Sequence, residues 1–216
     1  MGRWALLTGV LIAANVAVFL IELSLDGGLD AFIRRWGLVP SDVFESLHGT
    51  DGPAALVTLL TSAFLHAGWL HLLSNVLYLA VFGPPVERRV GPARLGLLYI
   101  ASGLVGSLAY LGAQPTSEVP AVGASGAIAG VIAAHLVLFP GATLGSLAPV
   151  LFLHVVESTP TLLLLLVWLG TQLLSSVASL TTSTGIAWWA HVGGFATGLA
   201  IAPLIRIRIR THQLRG

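Results

Sequence analysis

Four polar side chains interrupt the apolar segments of this sequence: His71, Asn75, Ser125 and His191. A serine hydroxyl is a weak nucleophile until a neighbouring base removes its proton, and the side chain that most often does so is histidine. Attack on a carbonyl also needs hydrogen-bond donors for the developing oxyanion, and the Asn75 amide, the His71 ring and the Ser125 backbone N–H are suitable. Because polar groups in apolar segments are costly, these four predict a site with Ser125 as nucleophile and His191 as base.

The composition places these residues in a membrane protein. Of the 216 residues, 56% are hydrophobic and only 9% are charged, and the mean hydropathy is +0.91. One soluble core cannot bury that much apolar surface, so the sequence predicts a polytopic protein covered by the lipid bilayer. Cysteine is absent, which excludes disulfides, thiolate metal sites and cysteine nucleophiles. The net charge of +1 and the scattered arginines argue against nucleic-acid binding.

Six apolar segments are candidate membrane helices, at about residues 4–25, 69–87, 95–111, 125–139, 161–180 and 186–205. Residues 26–68 are predicted to form an outer loop that includes a short interfacial segment. The fourth apolar segment would make a helix of only roughly 22 Å, against a hydrocarbon core of about 30 Å. The predicted fold is therefore a single all-α membrane domain over residues 1–216, a six-transmembrane-helix bundle with a short, recessed fourth helix.

These predicted spans bring the four polar residues to a similar depth. His71 and Asn75 are four residues apart, so both project from one face of the second span near its outer end. Ser125 opens the fourth span roughly 8 Å below the outer surface, and His191 lies roughly 7 to 8 Å deep in the sixth span. All four are therefore expected in one layer of the outer leaflet.

Glycines at helical spacing indicate which spans touch. Gly126 and Gly130 on the fourth span, and Gly194 and Gly198 on the sixth, form Gly-x-x-x-Gly faces, which let two helix backbones approach closely in lipid. If these faces pack together, Ser125 lies beside His191.

The arginines predict the orientation of the chain in the membrane. Arg3, the arginines at 88, 89 and 94, and those at 206, 208, 210 and 215 fall on one side of the six-span arrangement, while the acidic outer loop falls on the other. The excess of basic residues marks the cytoplasmic side, so both termini are expected in the cytoplasm. Arg34 and Arg35 in the outer loop are exceptions.

No acidic residue completes a catalytic triad. The last aspartate is Asp51, and Glu87, Glu118 and Glu157 are predicted to lie in loops. We therefore expect a Ser-His dyad oriented by packing. A pair of membrane aspartates and a His-Glu-x-x-His motif are both absent from the sequence, which argues against aspartyl and zinc protease mechanisms. The Gly-x-Ser-x-Gly elbow is absent too, since residue 127 is alanine.

The motifs that carry these residues resemble those of the rhomboid family of intramembrane serine proteases. Gly123-Ala-Ser125-Gly126 is similar to the family's GxSG motif, His71-Leu-Leu-Ser-Asn75 to its HxxxN motif, and Ala190-His191-Val-Gly-Gly194-Phe-Ala-Thr-Gly198 to its AHxxGxxxG helix. The resemblance covers nearly the whole chain and includes Pro149, Glu157, Pro160, Trp168 and Gln172. One departure lies in the loop 140–160, where relatives often carry an arginine after the proline.

The resemblance implies a bacterial-type core with a recessed, water-accessible dyad of Ser125 and His191 and with oxyanion stabilisation by His71, Asn75 and Ser125. It implies an endopeptidase that uses no metal or organic cofactor. The implied substrates are single-span membrane proteins, cleaved at small residues near the outer face, and the implied location is the bacterial inner membrane. The sequence does not indicate an oligomeric state.

Two other interpretations stay open. A lone membrane serine flanked by glycines often serves helix packing, and His71 and Asn75 can act as structural hydrogen-bonding residues. The protein can also be a catalytically inactive client-binding membrane protein or a small transporter that uses the same polar layer. His66 is expected to be structural rather than catalytic.

Overall fold

The computed structural model describes residues 5–48, 52–143, 160–179 and 187–213. Within these ranges the regular secondary structure is helical, which confirms the predicted all-α fold. The α-helices, numbered in chain order, are α1 Leu6–Leu23, α2 Leu29–Trp36, α3 Pro40–His48, α4 Thr58–Thr61, α5 Trp69–Val90, α6 Pro92–Ala113, α7 Ser125–Leu138, α8 Thr161–Ala178 and α9 Trp188–Gln213. Two 3-10 turns, Gly52–Val57 and Ser62–Phe64, flank α4.

Five of the described helices, α1, α5, α6, α8 and α9, are long and apolar enough to cross a membrane. The chain is therefore an integral membrane protein. The remaining long apolar helix, α7, has 14 residues, and at 1.5 Å per residue it is too short to cross a hydrocarbon core of about 30 Å. That α7 serves as the sixth span of a single membrane domain stays a prediction.

The short helix α7 lies at the centre of the bundle, packed against α5, α6 and α9. Every residue from Gly126 to His135 is buried. The sequence explains this position, because glycine and alanine alternate there with branched apolar residues and leave no polar face for solvent or headgroups. The other helices consequently surround α7, and the residue at its start is held within the bundle.

The connection between α5 and α6 differs from the prediction. The sequence predicted that the second span ends at about residue 87 and that Glu87 lies in a loop, but α5 continues through Pro84 and Pro85 to Val90. Gly91, with a φ of 87°, then separates α5 from α6. A helix can keep prolines in a membrane bundle where neighbouring groups satisfy the freed backbone. The break comes at the glycine, because its positive φ cannot continue the helix.

Glu87 therefore lies within α5 rather than in a loop, and it is buried. Its carboxylate accepts hydrogen bonds from the backbone N–H groups of Leu7 and Thr8, at 2.9 and 2.8 Å, and from the Thr8 hydroxyl at 2.6 Å. The first N–H groups of a helix have no partner within the helix. Glu87 supplies that partner from another helix and so ties the start of α1 to the end of α5.

The segment predicted as an outer loop, residues 26–68, contains α2, α3 and the helical turns around α4. It contacts the chain that leads into α7 through backbone hydrogen bonds. Leu38 and Ala121 exchange backbone hydrogen bonds of 3.0 and 2.8 Å, and the Gly123 N–H donates to the Ser62 carbonyl at 2.8 Å. This segment thus fixes the backbone that enters α7. Pro149, Glu157, Arg3 and Arg215 lie outside the described residues.

Candidate active site

Ser125 is the first residue of α7, and Gly123 sets the path of the chain that leads to it. Gly123 has a φ of 120°, a conformation that residues with a side chain rarely adopt. A Cβ atom at this position would also lie 2.5 Å from Nε2 of His71. Glycine is thus required both by the backbone conformation and by the close approach of the His71 ring.

Helices α7 and α9 pack through the glycines that the sequence singles out. A Cβ on Gly194 would collide with the carbonyl oxygen of Gly126, and a Cβ on Gly198 would collide with that of Gly130. With no side chains between them, the two backbones approach as Gly-x-x-x-Gly faces do in membranes. This contact brings the start of α7 next to the first turn of α9, which carries His191.

The side chains of Ser125 and His191 meet across this interface. Ser125 Oγ lies 2.6 Å from His191 Nε2, although 66 positions separate the two residues in the chain. That distance is short enough for a hydrogen bond between a hydroxyl and an imidazole nitrogen. The pair therefore has the geometry of a serine nucleophile next to its general base.

The other ring nitrogen of His191, Nδ1, forms a hydrogen bond with Oε1 of Gln172 on α8. The imidazole also contacts two indole rings, with centroid distances of 6.3 Å to Trp168 and 5.7 Å to Trp188. The sequence predicted a histidine oriented by packing. In the structure, the ring is held both by aromatic packing and by the hydrogen bond to Gln172 on α8.

A cavity of about 660 Å³ opens at Ser125 and His191, and His71 and Asn75 on α5 line it as well. Asn75 is buried, and its Nδ2 has no hydrogen-bond partner among the described residues. The Ala67 N–H faces Nδ1 of His71 at 3.5 Å. Since that nitrogen acts as acceptor, Nε2 is the donor in the neutral ring, next to the backbone of Gly123. The site thus contains two side-chain donors close to the segment that carries Ser125.

His66 packs beside the site without lining the cavity. Its ring centroid lies 5.2 Å from that of His71, and its backbone N–H donates to the Glu22 carboxylate of α1 at 3.1 and 3.3 Å. Burial, together with the nearby His71 ring, lowers the pKa of His66 to about 4. The ring is therefore neutral at neutral pH, and its contacts fit the structural role that the sequence favours.

Sequence reasoning missed three contacts around the site and the bundle. Gln172 entered only as part of a motif pattern, and Glu22 and Glu87 had no assigned partners. The rule that selected Ser125, a polar residue inside an apolar segment, would also have selected Gln172 within the leucine-rich α8 and Glu22 within α1. No spacing in the sequence connects either residue to its partner on another helix.

Comparison with known proteins gives matches over most of the chain. Residues 53–208 match the family model described as the rhomboid domain. RHOMBOID-like protein 12, mitochondrial, of Arabidopsis thaliana is 30% identical over 221 residues, which cover 95% of this chain and 59% of that protein. RHOMBOID-like protein 4 of the same plant is 36% identical over 168 residues, which cover 77% of this chain and 37% of that protein.

A bacterial protein is also similar. The putative rhomboid protease YdcA of Bacillus subtilis (strain 168) is 42% identical over 89 residues, which cover 40% of this chain and 44% of that protein. The chain spans less than two thirds of the length of each of these three relatives.

Proposed function

The chain belongs to the rhomboid family, and we propose that it is an intramembrane serine endopeptidase that cleaves single-span membrane proteins near the outer face of the membrane. Membership of this family suggests intramembrane proteolysis, and the similar Bacillus subtilis protein has protease in its name. The observation that carries the proposal is the 2.6 Å contact between Ser125 Oγ and His191 Nε2. This contact lies at a cavity of about 660 Å³, which His71 and Asn75 also line.

In the proposed reaction His191 acts first as a general base. Its Nε2 accepts the hydroxyl proton of Ser125 while Oγ bonds to the carbonyl carbon of the scissile peptide. The C=O double bond becomes a single bond to a negatively charged oxygen, and His191 becomes an imidazolium. The short Oγ–Nε2 distance means that the proton moves along a hydrogen bond that exists before substrate binds.

The oxyanion needs donors that are in place before it forms. Asn75 Nδ2 is buried and unpaired among the described residues, so it can bond to the oxyanion without first breaking another bond. His71 Nε2 and the Ser125 backbone N–H are the other two donors. The Ser125 N–H is available because the first N–H groups of a helix have no partner within it. The positive end of the α7 dipole adds to their effect.

His191 then acts as a general acid. The imidazolium returns its proton to the nitrogen of the leaving amine as the C–N bond breaks, which leaves an acyl ester on Ser125. A water molecule in the cavity attacks this ester, and His191 Nε2 takes the proton of that water. The second tetrahedral intermediate collapses as the bond between Oγ and the carbonyl carbon breaks, and the imidazolium of His191 returns its proton to Oγ. The new carboxylic acid leaves the site and ionises in water.

The orientation in the membrane follows from the arginine distribution. We place both termini in the cytoplasm of a bacterial cell, with the chain in the inner membrane, because the basic residues between the predicted spans favour that side. Alkaline phosphatase inserted in the loop 114–120 should then be active, and the same enzyme inserted at residue 91 should be inactive. The reverse pattern would contradict this orientation.

The proteolytic function is tested with purified protein in proteoliposomes and a single-span membrane substrate. Ser125→Ala and His191→Ala are each expected to insert and accumulate normally but to lose cleavage. Ser46→Ala is the control, since the Ser46 hydroxyl donates to the Val43 carbonyl within α3, and this variant should cleave as the wild type does. Wild-type turnover by either of the first two variants would contradict the proposal.

A further inference from the structure

Both ring nitrogens of His191 are within hydrogen-bonding distance of a side chain. Nε2 contacts Ser125 Oγ, and Nδ1 contacts Gln172 Oε1. Gln172 is only 6% exposed, so its amide is largely shielded from bulk solvent. A neutral imidazole carries a single ring proton, and the nitrogen that holds it determines whether Nε2 can act as a base.

The orientation of the Gln172 amide is set within α8. The Thr171 hydroxyl donates to the Trp168 carbonyl at 2.6 Å, so its oxygen can act toward Gln172 only as an acceptor. Gln172 Nε2 lies 3.4 Å from that oxygen and is therefore the donor. The other end of the amide, the acceptor Oε1, is then the end that faces His191.

We propose that Gln172 is a positioning residue that holds the ring proton of His191 on Nδ1 and so keeps Nε2 free to accept the proton of Ser125. The hydrogen bonds then run in one direction, from Ser125 to His191, from His191 to Gln172 and from Gln172 to Thr171. The catalytic consequence of this arrangement rests on the proposed protease function. The proton position itself does not.

The opposite arrangement would be unproductive. If the amide were reversed, its NH₂ group would donate to Nδ1 and the ring proton would move to Nε2. That nitrogen would then donate to Ser125 Oγ and could not remove its proton. A residue without hydrogen-bonding groups at position 172 would leave both proton positions populated, and only a fraction of the protein would be competent.

Titratable and charged side chains near His191 also affect the pH dependence of cleavage. His71 is the titratable side chain that interacts electrostatically with the His191 ring. Helix α8 carries no charged side chain, and Ser125 is followed on α7 by one titratable residue, His135. The titratable and charged residues of α6 are Arg94, Tyr99 and Tyr110. All of these stay unchanged in the variants below, so differences between pH profiles report on position 172.

Three variants distinguish a role of Gln172 in positioning the His191 proton from a role in holding α8 in place. Gln172→Met removes the acceptor at similar size, and Gln172→Glu replaces it with a carboxylate. Gln114→Met is the matched control, because the Gln114 amide also reaches the α8 segment, where it donates to the Ser179 carbonyl at 2.6 Å, but it does not contact His191. Steady-state cleavage of a single-span substrate is measured for each variant across the pH range.

Gln172→Met is expected to lower kcat about tenfold with KM unchanged, which is the effect of losing one buried hydrogen bond. The acidic limb of its kcat/KM profile should move to lower pH, because the imidazolium loses an acceptor. The limb for Gln172→Glu should move to higher pH, because a carboxylate stabilises the imidazolium. Gln114→Met should leave kcat and the limb unchanged. Acidic limbs that coincide in all four proteins, or a raised KM as the main effect, would overturn the proposal.

A second measurement does not depend on cleavage. Nitrogen NMR of protein with ¹⁵N-labelled histidine distinguishes a protonated from an unprotonated ring nitrogen, and the His191 signals are those that disappear in His191→Phe. We expect a protonated Nδ1 and a free Nε2 in the wild type, and a mixture in Gln172→Met. A wild-type ring protonated on Nε2, or identical spectra for the two proteins, would refute the positioning role. If these spectra are as expected but no substrate is cleaved, the proposed function fails and the positioning role stands.

Discussion

The backbone of Gly194 on α9 lies directly against the carbonyl oxygen of Gly126 on α7, and the gap between them cannot hold a Cβ atom. The Ser125–His191 contact is adjacent to this point on both helices. The separation of α7 and α9 therefore determines the separation of the two reactive side chains.

Gly194→Ala is expected to push α9 away from α7, because the added methyl group meets rigid backbone rather than a flexible side chain. The cost should be about 1 to 3 kcal/mol of stability, as for other overpacked contacts, and cleavage should fall with it. Thermal unfolding in detergent measures the first effect. The control is Gly170→Ala on α8, where a Cβ would meet open space. Equal Tm values for the two variants would contradict the close packing of α7 and α9 at Gly194.

Asn75→Ala tests the proposed oxyanion donor. Loss of one such donor should lower kcat by about 10² to 10³, with a smaller change in KM. The matched control is Asn15→Ala on α1, since Asn15 is also a buried asparagine but its amide bonds to the Leu11 carbonyl. The control should lose stability while keeping its kcat, and equal kcat values for the two variants would argue against the role of Asn75.

Glu87→Ala should loosen the start of α1, because two backbone N–H groups and the Thr8 hydroxyl lose their acceptor. We expect a loss of about 3 kcal/mol in unfolding free energy, together with faster hydrogen exchange at Leu7 and Thr8. Arg88→Ala, at the exposed neighbouring position, is the control. Unchanged exchange in the first turn of α1 would show that Glu87 does not hold this helix.

The lowered pKa of His66 predicts the direction in which stability changes with pH. The folded ring binds a proton only near pH 4, whereas the unfolded ring binds one near 6.5. The unfolded state therefore gains protons first, so this group's contribution to stability is complete above pH 6.5 and declines as the pH falls toward 4. Between about pH 7.5 and about pH 5 the wild type should lose about 2 kcal/mol more than His66→Gln. Parallel pH dependences in denaturant unfolding would contradict the burial argument.

Local features of the site were accessible from the sequence because they depend on short spacings. The interval from His71 to Asn75 places both on one helix face, and the paired glycines predict close backbone contact. The helices α2 and α3 were missed because the composition of residues 26–53 is typical of a loop. Leu29, Phe32, Ile33 and Trp36 nevertheless have the helical spacing i, i+3, i+4, i+7, which is a signal for α2.

Contacts between helices that no glycine pair marks were not accessible in this way. Glu87 and Thr8 are 79 positions apart, and Gln172 and His191 belong to different helices. Which polar residue faces which depends on helix rotation and separation, and the apolar pattern of α8 is too uniform to fix its rotation. Helix α5 ends at Gly91 rather than at the two prolines, because the positive φ of Gly91 cannot continue the helix whereas a membrane bundle tolerates prolines.

The central claim, that Ser125 is a nucleophile activated by His191, is tested most directly by covalent labelling. The folded wild-type protein is treated with a fluorophosphonate probe, and the labelled residue is located by mass spectrometry. We predict labelling at Ser125 and a rate at least about 100-fold lower in His191→Ala, the usual scale of general-base catalysis. An unlabelled Ser125 in folded protein would favour a catalytically inactive client-binding protein, and labelling at an equal rate without His191 would contradict the dyad.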